Sequence, residues 1–238
     1  MDQRAKADTL RQLHLEPPIL VLPNAWDVAS AKQLGALPGC RALATTSAAV
    51  ARSLGWEDGE EAPVEEMLRA NQRIAAAVDL PVTGDLEHGY GDPVGTARRA
   101  WGAGLVGINF EDSTDDGHVP LEEQAMMIHA IREAVPELVI NARVDTFLRE
   151  TGGIDEAVER ANAYLAAGAD CTYPIACPVP TVAELARRID GPINVLVIPG
   201  LPEPSELQNL GVARMTWGSG LATVAYAEGV RVAGEALA

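Results

Sequence analysis

The chain is short of positive charge. Its 18 lysines and arginines face 34 aspartates and glutamates, for a net charge of −16, and no stretch gathers the basic residues into a stripe. That excludes nucleic acid as a partner and means that an anionic substrate needs a local cationic site. Cysteine is scarce too. Cys40, Cys171 and Cys177 are odd in number and show no C-x-x-C spacing, so they offer neither a disulfide framework nor a structural zinc site and fit a reducing cytoplasm. No apolar run reaches the roughly 20 residues of a membrane span, and the polar opening MDQRAKADTLRQLH has no secretory apolar core. Interior linkers and low-complexity tracts are also missing. With 47% apolar residues, the 238-residue chain reads as one domain, 1–238, with a large core.

What is present alternates. Short apolar strands are expected at 19–22, 41–45, 81–86, 105–110, 138–142, 170–173, 193–197 and 212–216. Helical stretches fall between them, at 64–78, 93–101, 121–134, 154–167 and 182–189 among others, with a helix over 3–15 ahead of the first strand and one over 221–237 after the last. Gly35, Gly104, Gly168 and Gly211 stand where helices stop before a strand. Strand–helix alternation implies parallel strands with right-handed crossovers. Eight such units favour a closed (β/α)8 barrel of TIM type over the alternative, an open doubly wound sheet.

Polar and charged residues collect just after the strands, where barrel enzymes build their sites. Thr45, Thr46 and Ser47 follow the second strand, Asp85 and Glu87 the third, Glu111 the fourth and Arg143 the fifth. If the strand stays extended to Glu87, the two carboxylates share a face and repel each other unless a cation intervenes. A hard divalent ion such as Mg²⁺ would resolve that conflict; a solvated acidic turn is the plainer reading of the same residues. Arg143 offers a planar fork for a carboxylate, or an ion pair with Asp145. Glu111 can serve a cation or cap the next helix. The Thr45–Ser47 turn can present N–H and hydroxyl groups to an oxyanion, or be only a turn.

The segments NAWDVASA (24–31), TTSAAVARSLGWEDG (45–59), GDLEHGYGDP (84–93), GINFEDS (107–113), NARVDTF (141–147), GAD (168–170) and the GVARMTWGSG tail together resemble the isocitrate lyase/phosphoenolpyruvate mutase superfamily over nearly the whole chain. The resemblance implies a modified (β/α)8 barrel, usually oligomeric (dimer or tetramer) with a helix exchanged between subunits. It also implies Mg²⁺, with Mn²⁺ as the alternative ion, and a small 2-oxo or dicarboxylic acid as ligand. By position, Asp85 would be the nearest metal ligand, Asp58, Glu87 and Glu111 would hold metal-bound waters, and Arg143 would bind the substrate carboxylate. Thr45, Thr46 and Ser47 would cradle its other end.

Three departures shape the functional expectation. The lyases of this group carry a mobile loop with a K-[KR]-C-G-H motif, where this chain has only DSTDDGHVP after Glu111. The sixth strand ends in Pro174-Ile175 in place of an acidic residue or histidine, and the seventh offers Asn194 as its one polar group toward the substrate. His118, in the short loop, is the candidate to supply the lost acid–base function, ahead of His88 and Tyr90; Arg143 and Asp58 complete the catalytic set. The expected activity is Mg²⁺-dependent cleavage of a C–C bond in a small 2-oxo- or hydroxy-carboxylic acid through an enolate. P–C bond chemistry and lid-less binding of 2-oxo acids are the alternatives.

Overall fold

A computed structural model describes residues 1–114 and 116–237. Eight parallel strands form its centre: β1 (Leu20–Leu22, resumed at Asn24–Ala25), β2 (Leu43–Thr45), β3 (Val82–Asp85), β4 (Gly107–Phe110), β5 (Val139–Val144), β6 (Cys171–Pro174), β7 (Asn194–Leu196) and β8 (Arg214–Thr216). Two ladders carry them. The lower half of β1 pairs with β8 and β8 with β7, while the upper half of β1 begins the series β2–β3–β4–β5–β6. Proline has no N–H to donate, so the ladder breaks at Pro23 although its carbonyl still accepts from Ala44 N at 2.9 Å. On the far side a Thr172–Ile193 bridge and a 3.0 Å bond from Thr172 N to the Pro192 carbonyl join β6 to β7. The ring therefore closes at both seams, as the eight-unit alternation predicts.

Helices α1 (Gln3–Leu13), α2 (Val28–Gly35), α3 (Ser47–Leu54), α4 (Val64–Ala76), α5 (Pro93–Gly102), α6 (Leu121–Ala134), α7 (Ile154–Ala166), α8 (Val182–Arg188), α9 (Pro204–Asn209) and α10 (Gly220–Leu237) complete the order. The alternation did not assign α3. Its alanine-rich run Ser47–Leu54 ends at Gly55, whose φ of 91° provides the left-handed stop. A two-stranded hairpin, Ser113–Thr114 with Gly117–His118, replaces the expected open loop after β4. Among the described residues no helix is long and apolar enough to cross a membrane.

Apolar burial occurs in two places. The outward faces of the strands pack on the surrounding helices, with Leu43, Val82, Ile108 and Ile140 against Met67, Ile74, Ala97, Ile128 and Leu185. Inside the lower barrel, Leu20, Leu22, Ala44, Val106 and Val139 meet Ala7 and Leu10 of α1, which plugs the floor. Gly107 is required there: a Cβ would lie 2.9 Å from the Val139 carbonyl and 3.0 Å from Leu10 Cδ2. The floor also holds His14, 4% exposed, whose Nδ1 lies 2.8 Å from the Leu10 carbonyl while Nε2 has no hydrogen-bond partner among the described residues. Burial, with Arg214 next in weight, lowers its pKa to about 4.

A histidine held neutral stabilises the fold above its unfolded pKa of about 6.5, and that contribution is lost as pH falls toward the folded value. Relative to His14→Gln, the parent chain should therefore lose about 3 kcal/mol of unfolding free energy between roughly pH 6.5 and 4. Urea titrations across that range measure the difference, and parallel curves would show that His14 is already charged in the fold.

Candidate active site at the carboxyl rim

The loops after the strands enclose two adjoining cavities that share Arg143 as a wall. The mouth cavity, about 200 Å³, is lined by Thr46, Ser47, Asp58, Asp85, Asn109 and Tyr173, and closed by Leu196 and Trp217. The second, about 490 Å³, is lined by Glu87, His88, Glu111, Arg149 and the hairpin residues Ser113 and Thr114. The structure thus divides the expected acids into two pairs, Asp58 with Asp85 and Glu87 with Glu111. Among the described residues no three His, Cys, Asp or Glu side chains stand close enough to hold one ion directly.

Asp85 ends β3, and its carboxylate turns onto the N-terminus of α3. Oδ2 accepts from the Ser47 N–H and from the Ser47 hydroxyl, both at 3.0 Å, and Oδ1 accepts from Asn109 Nδ2 at 3.2 Å. The first helical N–H and the positive end of the helix thereby meet an anion. This changes the part expected of the 45–47 turn. Ser47 holds Asp85 instead of offering its donors to a ligand. Thr45 is 1% exposed, and its hydroxyl donates to Asn71 Oδ1 at 2.8 Å while accepting from Asp85 N at 3.0 Å. Only Thr46 and Ser47 reach the cavity wall.

Glu87 does not extend the strand face. Its φ of 51° is left-handed, a conformation that costs on the order of 1–3 kcal/mol and collects at functional turns. The turn aims its carboxylate at the 55–63 loop, where Oε2 accepts from Gly59 N at 2.8 Å and Glu60 N at 2.7 Å, and Oε1 from Tyr90 Oη at 2.5 Å. Burial pushes its pKa up to about 7; the Tyr90 hydrogen bond works against the rise, and Asp58 and Asp85 add to it. Burial, and then Asp85, likewise raise the pKa of Asp58, which reaches the mouth cavity from its exposed loop. Burial raises Glu111 well above the carboxylate range even against the Arg143 charge, with Asp85 adding to the rise.

Arg143 lies inside β5 rather than beyond it, and its fork is engaged. Nε and Nη2 donate to Asp145 Oδ1 and Oδ2 at 2.5 and 2.8 Å, and Nη1 contacts Glu111 Oε1. Burial opposes its charge, but Glu111 and Asp145 outweigh it and hold the guanidinium more firmly protonated. The ion pair with Asp145 is formed, three of the five N–H groups are bound, and the residue lines both cavities.

Two expected residues lie elsewhere. His118 sits on the second hairpin strand, 9% exposed at its side chain. It faces Asp112 (Nε2 to Oδ1, 3.5 Å), Thr151 (Nδ1 to Oγ1, 2.9 Å) and Glu156 (3.7 Å), and lines neither cavity. The hairpin turns it away from both cavities and against Asp112, a placement that does not fit the part of acid or base expected of it. Asn194 opens β7 one layer below the rim; it is fully buried and exchanges hydrogen bonds of 3.2 and 3.3 Å with Thr216. Leu196, two residues on, occupies the mouth wall in its place.

Sequence patterning missed the support beneath Arg143. Asp112, fully buried, accepts from Asp145 N at 2.8 Å, Tyr164 Oη at 2.8 Å and Arg160 Nη1 at 3.2 Å. Burial alone would raise its pKa, but the contacts from His118, Tyr164 and Asp145 N together bring it below the usual value. Asp145 also accepts from the Ser113 hydroxyl, so one buried network ties the hairpin to the Arg143 guanidinium. The E-D and R-x-D spacings of Glu111-Asp112 and Arg143-x-Asp145 were its only sequence signal.

The chain's relatives are consistent with this geometry. A phosphoenolpyruvate phosphomutase family model matches residues 10–237. The chain is 32% identical to a Bacillus subtilis (strain 168) 2-methylisocitrate lyase over 80% of this chain and 67% of that one. It is 38% identical to an uncharacterized Mycobacterium tuberculosis H37Rv protein over 96% and 87%. A solved structure from Burkholderia cenocepacia J2315, provisionally named a phosphonomutase, superposes with a TM-score of 0.92 at 34% identity, covering 98% of this chain and 99% of that one.

Removing one member of a buried ionic network leaves its partners unpaired, at a cost of about 3–5 kcal/mol. Asp112→Ala should destabilise the protein by about 3 kcal/mol in denaturant titrations, whereas a loss below about 1 kcal/mol would show that the network carries little of the fold.

Proposed function

Because the chain belongs to the phosphoenolpyruvate phosphomutase family, we propose that it is a Mg²⁺-dependent carbon–carbon lyase acting on a small 2-oxo- or hydroxy-carboxylic acid. The observation that carries the reading is the convergence of Asp58, Asp85 and Arg143 on one mouth cavity, with Glu87 and Glu111 immediately behind Arg143. The donor set fits a hard divalent ion: it is all carboxylate, and those carboxylates raise one another's pKa values. Asp85 would hold it through Oδ1, which has one hydrogen bond where Oδ2 has two. Asp58, Glu87 and Glu111 would act through water, since Glu87 and Glu111 already engage protein donors. Bound there, Mg²⁺ or Mn²⁺ would supply a fixed cation where charge develops on an enolate oxygen.

The chain's own side chains do the rest. The remaining N–H groups of Arg143 bind the substrate carboxylate, with the guanidinium plane fixed by Asp145. Leu196, Ile175 and Trp217 give the mouth a partly apolar wall that limits water. Asp58 stands at the opening with its pKa raised toward the working range of a general base. For a hydroxy-acid, the hydroxyl proton passes to Asp58, the C–O bond becomes C=O and the neighbouring C–C bond breaks. Its electron pair stays beside the carboxylate of the departing fragment.

Two further readings have their own support. P–C chemistry is favoured by the phosphonomutase names of the family model and of the Burkholderia structure. Binding without turnover is favoured by the hairpin, which fills the place of a mobile lid and turns His118 away. Calorimetry with Mg²⁺ against pyruvate, oxaloacetate, 2-oxoglutarate, phosphonopyruvate and the hydroxy-acid 2-methylisocitrate, with product analysis of each mixture, separates them. C–C products are expected; inorganic phosphate from phosphonopyruvate, or binding with no product, would displace the lyase. In the same assay Asp85→Ala should abolish Mg²⁺-dependent binding and Arg143→Lys should weaken it at least tenfold, about 1.4 kcal/mol. Undiminished binding in both would remove the site.

The reading includes a homo-oligomer, a dimer or tetramer. Beyond Ala222, α10 leaves the barrel with Val224 at 67%, Val230 at 74% and Leu237 at 88% exposure. The outer wall of β1, where an eighth helix would pack, keeps a groove beside Ile19, Val21 and Pro204. A second copy's helix supplies the apolar face that both lack. Val224→Asp with Val230→Asp should shift the sedimenting species to monomer without lowering the melting temperature; an unchanged oligomer would exclude α10 from the interface.

A further inference from the structure

Arg214 opens β8, and its side chain lies inside the barrel with no exposed surface. Its one hydrogen bond to protein runs from Nη2 to Asn109 Oδ1 at 3.3 Å, while Nε and Nη1 find no acceptor among the described residues. No carboxylate among the described residues forms an ion pair with it. A buried guanidinium with so few partners is expensive to keep; burial lowers its pKa, but an arginine starts so far above neutrality that it does not escape the expense by losing its proton.

The charge is also left standing by its neighbours. Burial pushes the Cys171 thiol up to about 12 and draws His14 down to about 4, so both are neutral near pH 7, and burial raises the Tyr173 hydroxyl as well. What the guanidinium does have is a directed connection. Arg214 can only donate, so the Asn109 oxygen faces it, and Asn141 Nδ2 reinforces that choice by donating to the same oxygen at 2.8 Å. The Asn109 amide nitrogen is thereby turned to Asp85 Oδ1 at 3.2 Å. Two hydrogen bonds join a buried cation to the carboxylate that heads the mouth cavity.

We infer that Arg214 is a fixed positive charge beneath the mouth that sets its ionic balance, weakening the hold on a divalent cation and strengthening the hold on an anionic substrate. The inference rests on the reading of Asp85 as the metal-binding carboxylate. A cation in the floor repels a doubly charged ion and attracts a carboxylate, and at the effective dielectric of a protein interior each effect reaches across the two hydrogen bonds that separate Arg214 from Asp85. Arg214 touches neither ligand; it is a positioning residue for charge.

The test is calorimetric, on the full chain: Mg²⁺ alone, then pyruvate at saturating Mg²⁺, for the parent, Arg214→Met, Arg214→Gln, Arg214→Lys and Asp85→Asn. The neutral variants should bind Mg²⁺ about tenfold more tightly and pyruvate severalfold more weakly, and Arg214→Lys should stay within about twofold of the parent for both. Should the methionine variant not fold, the glutamine variant, which keeps an amide donor for Asn109, carries the measurement. A merely structural arginine would lower the melting temperature without moving the two affinities in opposite directions. Unchanged affinities, or a joint fall of both, would overturn the inference. Parent-like Mg²⁺ binding by Asp85→Asn would instead overturn the reading of Asp85 on which it stands.

Discussion

Mutual repulsion among carboxylates at the mouth of the barrel is the constraint around which the rim is arranged. Parallel strands deliver the residues that follow them to one end of the ring, and in this chain Asp85, Glu87 and Glu111 are among them. Each carboxylate is held by a different kind of donor. The first turn of α3 takes Asp85, the backbone of the 55–63 loop and the Tyr90 hydroxyl take Glu87, and Arg143 takes Glu111 and Asp145. These donors hold the acids in place without cancelling the strain on their charged forms, which burial and mutual repulsion disfavour, as the raised pKa values of Asp58, Glu87 and Glu111 record. The left-handed turns at Glu87 and Tyr90 are part of the same arrangement, since an extended strand would aim Glu87 beside Asp85 instead of into the loop.

Rigidity comes from one layer further down. Asp112 and Asp145 are both fully buried, and they join the hairpin, α7 and the Arg143 guanidinium into one hydrogen-bonded unit. An arginine pinned on its Nε edge has little orientational entropy left to lose when a ligand arrives. The hairpin is a fixed wall of the second cavity for the same reason. Ser113 is tied to Asp145, His118 lies against Asp112, and the Arg149 guanidinium reaches the Thr114 carbonyl at 2.5 Å.

Much of this is legible in the chain itself. The strand–helix alternation gave the barrel, and the residues following the strands gave Asp85, Glu111 and Arg143 at the rim. What one strand end cannot disclose is which neighbour its side chain will meet. Ser47 and Thr45 have the chemistry of an anion cradle, and whether they serve a ligand or Asp85 depends on how α3 sits against β3, a tertiary fact. His118 stands in a short loop by sequence, but the hairpin puts it on the second strand, with its side chain against Asp112. Asn194 fails for a simpler reason: β7 is only three residues long, so its first residue lies a full layer below its last. Arg214 sits in the motif GVARMTWGSG, where an arginine between Ala213 and Met215 carries no sign that it points into a closed barrel.

The charge count of the finished site limits what can occupy it. Around the two cavities stand Asp58, Glu60, Asp85, Glu87, Glu111 and Asp116, with Asp145 behind them, against Arg143 and Arg149, with Arg214 below. An anion approaching alone meets more negative than positive charge, and the net −16 of the chain adds to the barrier at a distance. A divalent cation approaching alone meets the reverse, and Arg214 limits how strongly it is held. A site with this balance favours a cation and a carboxylate together over either one singly. That favours a ligand that presents a carboxylate beside a second oxygen, the shape common to 2-oxo and 2-hydroxy acids. The larger cavity beyond, with Arg149 and His88 on its wall, leaves room for the distal part of such a ligand.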